Sequence, residues 1–254
     1  LIIRERIPHV IIGCIDSFSA VSGKGVEKLK KEKVSVTVGI LEKECREINR
    51  RFFTFFEKRR PYIILKWAET ADGFIAGADY QPLKISNDYA DRLVHSWRSE
   101  EMSIMVGATT ALHDDPRLTT RLWKGRNPAR IVLDRKLRLP PHAHLLDGTV
   151  PTIVLNEVKN ETGNNIEYIR LDYRQDIIPQ VLEILYNKQL QSLMVEGGAR
   201  LLQSFIDSGL WDEARVIRGS KILYGGVRAP GLKKADLQES FFLAGDEIAI
   251  YKNS

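Results

Sequence analysis

Short apolar runs alternate with helix-spaced segments along almost the whole chain, and this alternation restricts the fold more than any other feature. His9–Ile15 (HVIIGCI) is a run of the kind buried in parallel strands. Gly25–Lys33 has helical spacing with Val26 and Leu29 on its inner side, and Val34–Val38 is alternating and β-branched. Glu42–Phe56 returns to helical spacing through Cys45, Ile48, Phe52 and Phe55. Strand, helix, strand, helix is the repeat of an α/β unit. Two strands are too few for an independent core. Lys58-Arg59-Arg60-Pro61 then reads as helix breaker and linker, so a first segment is expected over residues 1–61.

A longer α/β pattern begins at Tyr62. Strands are expected at Tyr62–Ala68, Ile104–Val106, Arg130–Leu133, Thr152–Leu155 and Ser192–Val195. Helices are expected from a Ser86 cap to about Glu100, over Asp176–Lys188, and from Gly197-Gly198 to Asp207. Ala214–Ile217, Phe241–Leu243 and Ile248–Tyr251 look like closing antiparallel strands. Residues 62–254 are long enough for a complete α/β domain with a mixed sheet.

Of the 254 residues, 43% are hydrophobic and 28% charged, ordinary for a globular chain with a sizeable core. No apolar run approaches the roughly 18 residues of a membrane helix, so no membrane partner is expected. Leu1-Ile2-Ile3-Arg4-Glu5-Arg6 turns charged too early for a signal peptide, and with Met102 the first methionine the chain reads as the remainder of a longer one. Cys14 and Cys45 are far apart and in no paired spacing, which fits buried, inert thiols and a reducing cytoplasm. The net charge of +5 is uneven: residues 1–61 hold 14 Lys/Arg against 8 Asp/Glu, and residues 62–254 hold 24 against 25. The basic, aromatic stretch Arg50–Arg60 therefore raises a nucleic-acid-binding module as a rival reading. Against it, Phe52 and Phe55 fit a buried helix face, and no nucleic-acid partner is expected.

Three segments can carry chemistry. In Val195-Glu196-Gly197-Gly198-Ala199-Arg200-Leu201 a buried strand ends in a carboxylate and a helix starts at once. Such a helix start suits phosphate, and two glycines equally suit a tight turn. Glu196 would stand at the mouth of the sheet, where α/β ligands bind. Val106–Arg121 follows a strand and is dense in hydroxyls and carboxylates, a binding loop or a solvated one. Lys66 lies between Leu65 and Trp67, and either snorkels outward or points into a cleft as a donor. Asp72-Gly73 reads as a hairpin turn, and Arg98 can answer a helix dipole. His142-Ala143-His144 is the only close histidine pair, without enough ligands for zinc, so no metal site is expected. The chain has neither the H-x-E nor the P-C-x-x-C of a zinc deaminase.

Taken together, "LKWAETADG", "ISN…WRSE", "VGATTALHDDPRLTTR", "IVLDR" and "VEGGARLL" resemble the bifunctional riboflavin-biosynthesis deaminase/reductase family. "LIIRERIPHVIIGCID", "GKGVEKL" and "CREINRRFF" resemble the end of its deaminase domain, so the likeness spans essentially the whole chain. The resemblance implies a dihydrofolate-reductase-like reductase domain over residues 62–254. Before it, residues 1–61 would be the βαβα end of a cytidine-deaminase-like domain. It implies NADPH-dependent reduction of 5-amino-6-(5-phosphoribosylamino)uracil, with hydride delivered to ribose C1′. Zinc and deamination would belong only to the missing front of the longer parent, and a cytoplasmic homodimer is expected. The phosphorylated substrate would meet Arg98, Leu118, Arg121 and Glu196, with Lys66, Asp72 and Glu196 as catalytic candidates. The cofactor would meet Glu69, Lys84, Thr110, Asp114 and the segment Gly198, Ala199, Arg200, Leu201, Leu202, Gln203 and Ser204. Arg135 would face its 2′-phosphate. Pro82 and Lys84 stand where many members have Ser and Trp, so Lys84 would substitute electrostatically, and "TADG" replaces the more usual "SLDG". A pterin or folate reductase on the same fold is the alternative, without an identifiable carboxylate for the pterin ring.

Overall fold

His9–Ile12 (β1) and Ser35–Val38 (β2) pair in parallel, joined by the helix Lys24–Lys31 (α1). The structure is a computed structural model that describes residues 1–18, 23–78 and 83–254. It divides into two compact units, Leu1–Tyr62 and Ile63–Ser254. In the first, the single helix expected over residues 42–56 is two, Glu42–Ile48 (α2) and Arg50–Lys58 (α3). They divide at Asn49, whose φ of −100° and ψ of 22° leave the helical region. Its side-chain amide donates to the Cys45 carbonyl at 2.9 Å and closes the end of α2. Phe53 and Phe55 are buried, and the rings of Phe52 and Phe56 meet at a tilt of 54° with centroids 4.6 Å apart. The rings of the basic stretch are thus packed among themselves. Cys14 and Cys45 are free and half-buried rather than buried.

The second unit is built on a ten-stranded mixed sheet. Its strands are Tyr62–Glu69 (β3), Ser103–Gly107 (β5), Ala129–Leu133 (β6), Thr152–Asn156 (β7), Glu161–Gly163 (β8), Ile166–Arg170 (β9), Ser192–Gly197 (β10), Glu213–Arg218 (β11), Ala235–Leu243 (β13) and Asp246–Asn253 (β14). Two further strands, Phe74–Ala76 (β4) and Val227–Arg228 (β12), pair with each other apart from the sheet. The order is β13-β14-β11-β3-β10-β5-β6-β7-β9-β8. Pairing is parallel from β10 to β9 through β5, β6 and β7, and between β3 and β11; β14 is antiparallel to both β11 and β13. The helices are Asp88–Glu100 (α4), Ala108–Asp114 (α5), Ile177–Asn187 (α6) and Ala199–Ser208 (α7).

Side chains alternate across the strands and supply two cores. Ile63, Leu65, Trp67 and Met105 pack with the buried faces of α6 and α7. Ile104, Val106 and Val132 pack on the other face with Ala111, Leu118 and Leu145. The opposite alternation brings Lys66 to the face away from Leu65 and Trp67. Among the described residues no helix is long and apolar enough to cross a membrane.

Three local expectations change. The cap of α4 is Asn87, not Ser86: Asn87 Oδ1 accepts from the Tyr89 and Ala90 amides at 2.9 and 3.0 Å. The expected polar loop after β5 contains α5. Asp72-Gly73 is a turn, with Gly73 at φ +82°, but β4 beyond it pairs with β12 instead of folding back on β3.

Candidate active site

Beyond the carboxyl ends of β5, β6 and β10 lies a cavity of about 1380 Å³, larger than a single small-ligand pocket. Glu196 faces it because β10 bulges there. Val195 pairs with Met105 and Gly197 with Val106, so Glu196 is the extra residue. Its carboxylate is only 5% exposed and meets two cations. Arg98 Nε and Nη2 donate to Oε1 and Oε2, each at 2.7 Å, and Lys66 Nζ lies 3.8 Å from Oε2. Burial raises the Glu196 pKa, but the charges of Arg98 and Lys66 outweigh it and hold the carboxyl down at about 2. Burial pulls the Lys66 ammonium pKa below its ordinary value, and Arg98 adds to that against the attraction of Glu196.

Other expected site residues also line this cavity. They are Leu118, Lys84, Thr110, Asp114 and Arg135, together with Gly198, Ala199, Arg200, Leu201, Leu202 and Ser204 of the α7 start. Gly198 has φ +84° and opens α7 with no side-chain cap, the kind of helix start that suits an anion. Gly197 lies against Thr110, where an added Cβ would be 2.7 Å from Cγ2. That absence of a side chain lets β10 and α5 approach. Arg135 donates to Glu157 Oε2 at 2.6 Å and lies over the Tyr173 ring at 4.5 Å. Burial, opposed by Arg135, pushes the Tyr173 phenol up to about 12. Burial raises the Asp114 carboxyl, against the attraction of His113. Lys84 pairs with Asp88 and, at 3.4 Å, with Asp91; Pro82 lies outside the described residues.

Four expected residues stand off the cavity wall. Asp72 is committed to the turn. Its carboxylate accepts from Thr70 Oγ1 at 2.6 Å, Tyr224 N at 2.8 Å and Leu223 N at 3.2 Å, and these bonds lower its pKa. It therefore holds the backbone of the turn and is not among the residues that line the cavity. Glu69 accepts from Trp67 Nε1 at 2.8 Å and Arg218 Nη2 at 2.9 Å, while its carbonyl accepts from Gly219 N. Gln203 is turned to Gly231 N and Asp207. Arg121 is exposed, and its pKa is lowered by partial desolvation and by repulsion from Arg98 and Arg117, against the weaker pull of Asp91 and Glu196 on the cavity wall. Arg98 and Arg121 do not form a free pair of forks, since Arg98 is engaged with Glu196.

Two residues of α4 are added by the structure. Asp91 lines the cavity and accepts from Ser86 Oγ at 3.1 Å. His95 is buried, and its Nδ1 accepts from Leu122 N at 3.4 Å. Both share a helix face with Arg98 by their spacing, a signal present in the sequence. Among the described residues, no cluster of three or more His, Cys, Asp or Glu could hold a metal ion.

Residues 61–240 match the family model described as the RibD C-terminal domain. The riboflavin biosynthesis protein RibD of Aquifex aeolicus is 35% identical over 244 residues, covering 94% of this chain and 68% of that protein. The 2,5-diamino-6-ribosylamino-4(3H)-pyrimidinone 5′-phosphate reductase of Methanothermobacter thermautotrophicus is 38% identical over 212 residues, covering 76% of this chain and 98% of that protein. A solved Thermotoga maritima structure aligns over the whole chain and 73% of its own length, with a TM-score of 0.90 and 30% identity. It is a diaminohydroxyphosphoribosylaminopyrimidine deaminase/5-amino-6-(5-phosphoribosylamino)uracil reductase. The chain spans about two thirds of the length of the RibD relatives, from 63% to 68%. The α/β class with a mixed sheet, expected from strand and helix alternation, is the fold shared with that neighbour. On the match over 61–240 and these relatives, the chain belongs to the RibD C-terminal domain family.

Proposed function

We propose that this chain catalyses the NADPH-dependent reduction of 5-amino-6-(5-phosphoribosylamino)uracil to its ribitylamino product, a step of riboflavin biosynthesis. The observation that carries this reading is the buried Lys66–Glu196–Arg98 cluster on the wall of a cavity of about 1380 Å³. That space suits a dinucleotide and a nucleotide-sized substrate together. Glu196, ionised at neutral pH, accepts from ribose hydroxyls or a ring N–H. Lys66, with its depressed pKa, holds and donates a proton as the ribosylamine ring opens. Arg98 orients Glu196 and sets its charge. Arg121, repelled by Arg98 and Arg117, gains from a phosphate dianion that relieves the repulsion.

The free start of α7 fits a pyrophosphate, and Arg135 fits the 2′-phosphate that distinguishes NADPH from NADH. The bound nicotinamide supplies hydride for the sugar C1′. The chain's own residues align the two partners and exclude water. Zinc-dependent deamination is not proposed for these residues, which carry neither H-x-E nor P-C-x-x-C. A cytoplasmic homodimer is proposed. Its support is β13, a nine-residue strand at the sheet edge with Leu237 and Phe242 exposed, which is open to pairing.

The test is NADPH oxidation by the purified protein with the phosphoribosylaminopyrimidine, followed by loss of nicotinamide absorbance. Turnover that disappears in Lys66→Ala supports the reading. No turnover together with no NADPH binding by calorimetry overturns it.

A further inference from the structure

The segment from residue 118 to residue 127 is tied to α4 at two points on one helix face. Arg98 Nη1 donates to the Thr119 carbonyl at 3.1 Å, and His95 Nδ1 accepts from the Leu122 amide at 3.4 Å. The two anchored residues flank Thr120 and Arg121, so the backbone on either side of Arg121 is held. The segment is also closed on itself: Thr120 N and Oγ1 donate to Asn127 Oδ1 at 2.9 and 3.0 Å. It enters through Leu118 at φ +50°, a left-handed conformation that a leucine adopts only with outside support.

His95 is buried, with 4% of its surface exposed. The bond to Leu122 requires an acceptor at Nδ1, which only the uncharged ring has. Its surroundings favour that form. Burial comes first, then the charges of Arg98 and Arg121, and the opposing carboxylates Glu196 and Asp91 are weaker. A charged side chain here would add a cation beside two guanidinium groups.

We propose that His95 is a positioning residue for phosphate recognition: by accepting the Leu122 amide it fixes the backbone from which Arg121 presents its guanidinium to the substrate's phosphate monoester. This rests on the reading of Arg121 as a phosphate contact. His95 is not among the residues that line the cavity, and it acts through Arg121.

The test compares KM for the phosphorylated substrate with KM for its dephosphorylated ribosylamino counterpart, in the full chain. His95→Leu removes the acceptor and keeps the bulk. It is expected to raise KM for the phosphorylated substrate about tenfold, the size of one lost charge-linked hydrogen bond. KM for the dephosphorylated compound and for NADPH should not move. His95→Asn, which returns an uncharged acceptor near the Nδ1 position, should restore most of the preference. Combined with Arg121→Ala, His95→Leu should add nothing further. A variant that raises both KM values equally, or that leaves their ratio at the wild-type value, overturns the positioning role. An Arg121→Ala protein that keeps its full phosphate preference instead overturns the reading of Arg121, and the inference with it. Should His95→Leu not fold, His95→Gln, which keeps neutrality but displaces the acceptor, is read in the same way.

Discussion

Arg98 grips Glu196 at both oxygens, Nε on Oε1 and Nη2 on Oε2, each at 2.7 Å. The two side chains are 11% and 5% exposed, so this two-point pair is buried on both sides. Truncating one member of such a pair leaves the other as an uncompensated charge, at a cost of about 3–5 kcal/mol. Arg98→Ala is therefore expected to lower stability and to let the Glu196 pKa climb from about 2. Both KM and kcat should suffer. Arg121→Ala removes an exposed cation and is expected to raise substrate KM alone, with NADPH affinity intact. Urea unfolding beside steady-state kinetics separates the two. Equal stability losses in both variants would contradict the division of labour.

His95 makes stability depend on pH. Its pKa falls from 6.5 to about 4 through burial and the charges of Arg98 and Arg121. The unfolded chain therefore binds more protons than the folded one between those values. The contribution is fully present above about pH 6.5 and is lost as pH falls through about 4. Urea midpoints measured from pH 7 down to pH 4 should fall more steeply in the wild type than in His95→Asn, which cannot titrate. Parallel curves would show that the ring is not held neutral by the fold.

The periodicities that reveal β3, β5, β10 and α6 are local, and the sequence shows them directly. Buried strands such as Thr152–Asn156 are continuous apolar runs, and α6 repeats its apolar residues at helical spacing. The short helix α5 is hard to see in the sequence because its seven residues bury only the small side chains Ala108 and Ala111, among the polar Thr109, Thr110, His113 and Asp114. The edge strand β8 is exposed at all three residues, so no inward-outward alternation marks it in the sequence. Lys66 shows the limit at the site. Alternation puts it opposite Leu65 and Trp67, but whether that face is solvent or cavity depends on where α4 and the bulge at Glu196 lie. Glu196 and Arg98 could each be named as candidates. That one spends its fork on the other is a contact between residues 98 apart in the chain, beyond any local pattern.

Asp72 should be dispensable for chemistry. Its oxygens are taken by the Thr70 hydroxyl and the Leu223 and Tyr224 amides. Asp72→Asn keeps one oxygen acceptor and is expected to hold kcat within about twofold while the thermal midpoint falls. A loss of kcat of a hundredfold or more with the midpoint unchanged would restore it to the chemistry.

The two glycines before α7 should fail for different reasons. Gly198→Ala must hold φ +84°, a strain of about 1–2 kcal/mol that no neighbour can relieve. Gly197→Ala instead drives a methyl to 2.7 Å from Thr110 Cγ2, an overpacking of about 1–3 kcal/mol. Thr110→Ala should recover much of the stability lost in Gly197→Ala and none of that lost in Gly198→Ala. Thermal midpoints of the three single variants and the two doubles decide it, and equal rescue of both glycines would show that contact with Thr110 is not the cause.

Arg135 is the residue expected to tell NADPH from NADH. Its Nε is bound to Glu157 and its plane lies over Tyr173, so the guanidinium is fixed from two sides before any ligand arrives. A preorganised planar fork is what a phosphate monoester rewards, and NADH has none at the adenosine ribose. Arg135→Ala is expected to raise KM for NADPH about tenfold and to leave KM for NADH where it was. Glu157→Gln, which loosens the anchor but keeps the cation, should fall between the two. If both cofactors weaken together, Arg135 only braces the Tyr173 wall; a change confined to NADPH means that the positive charge is being read.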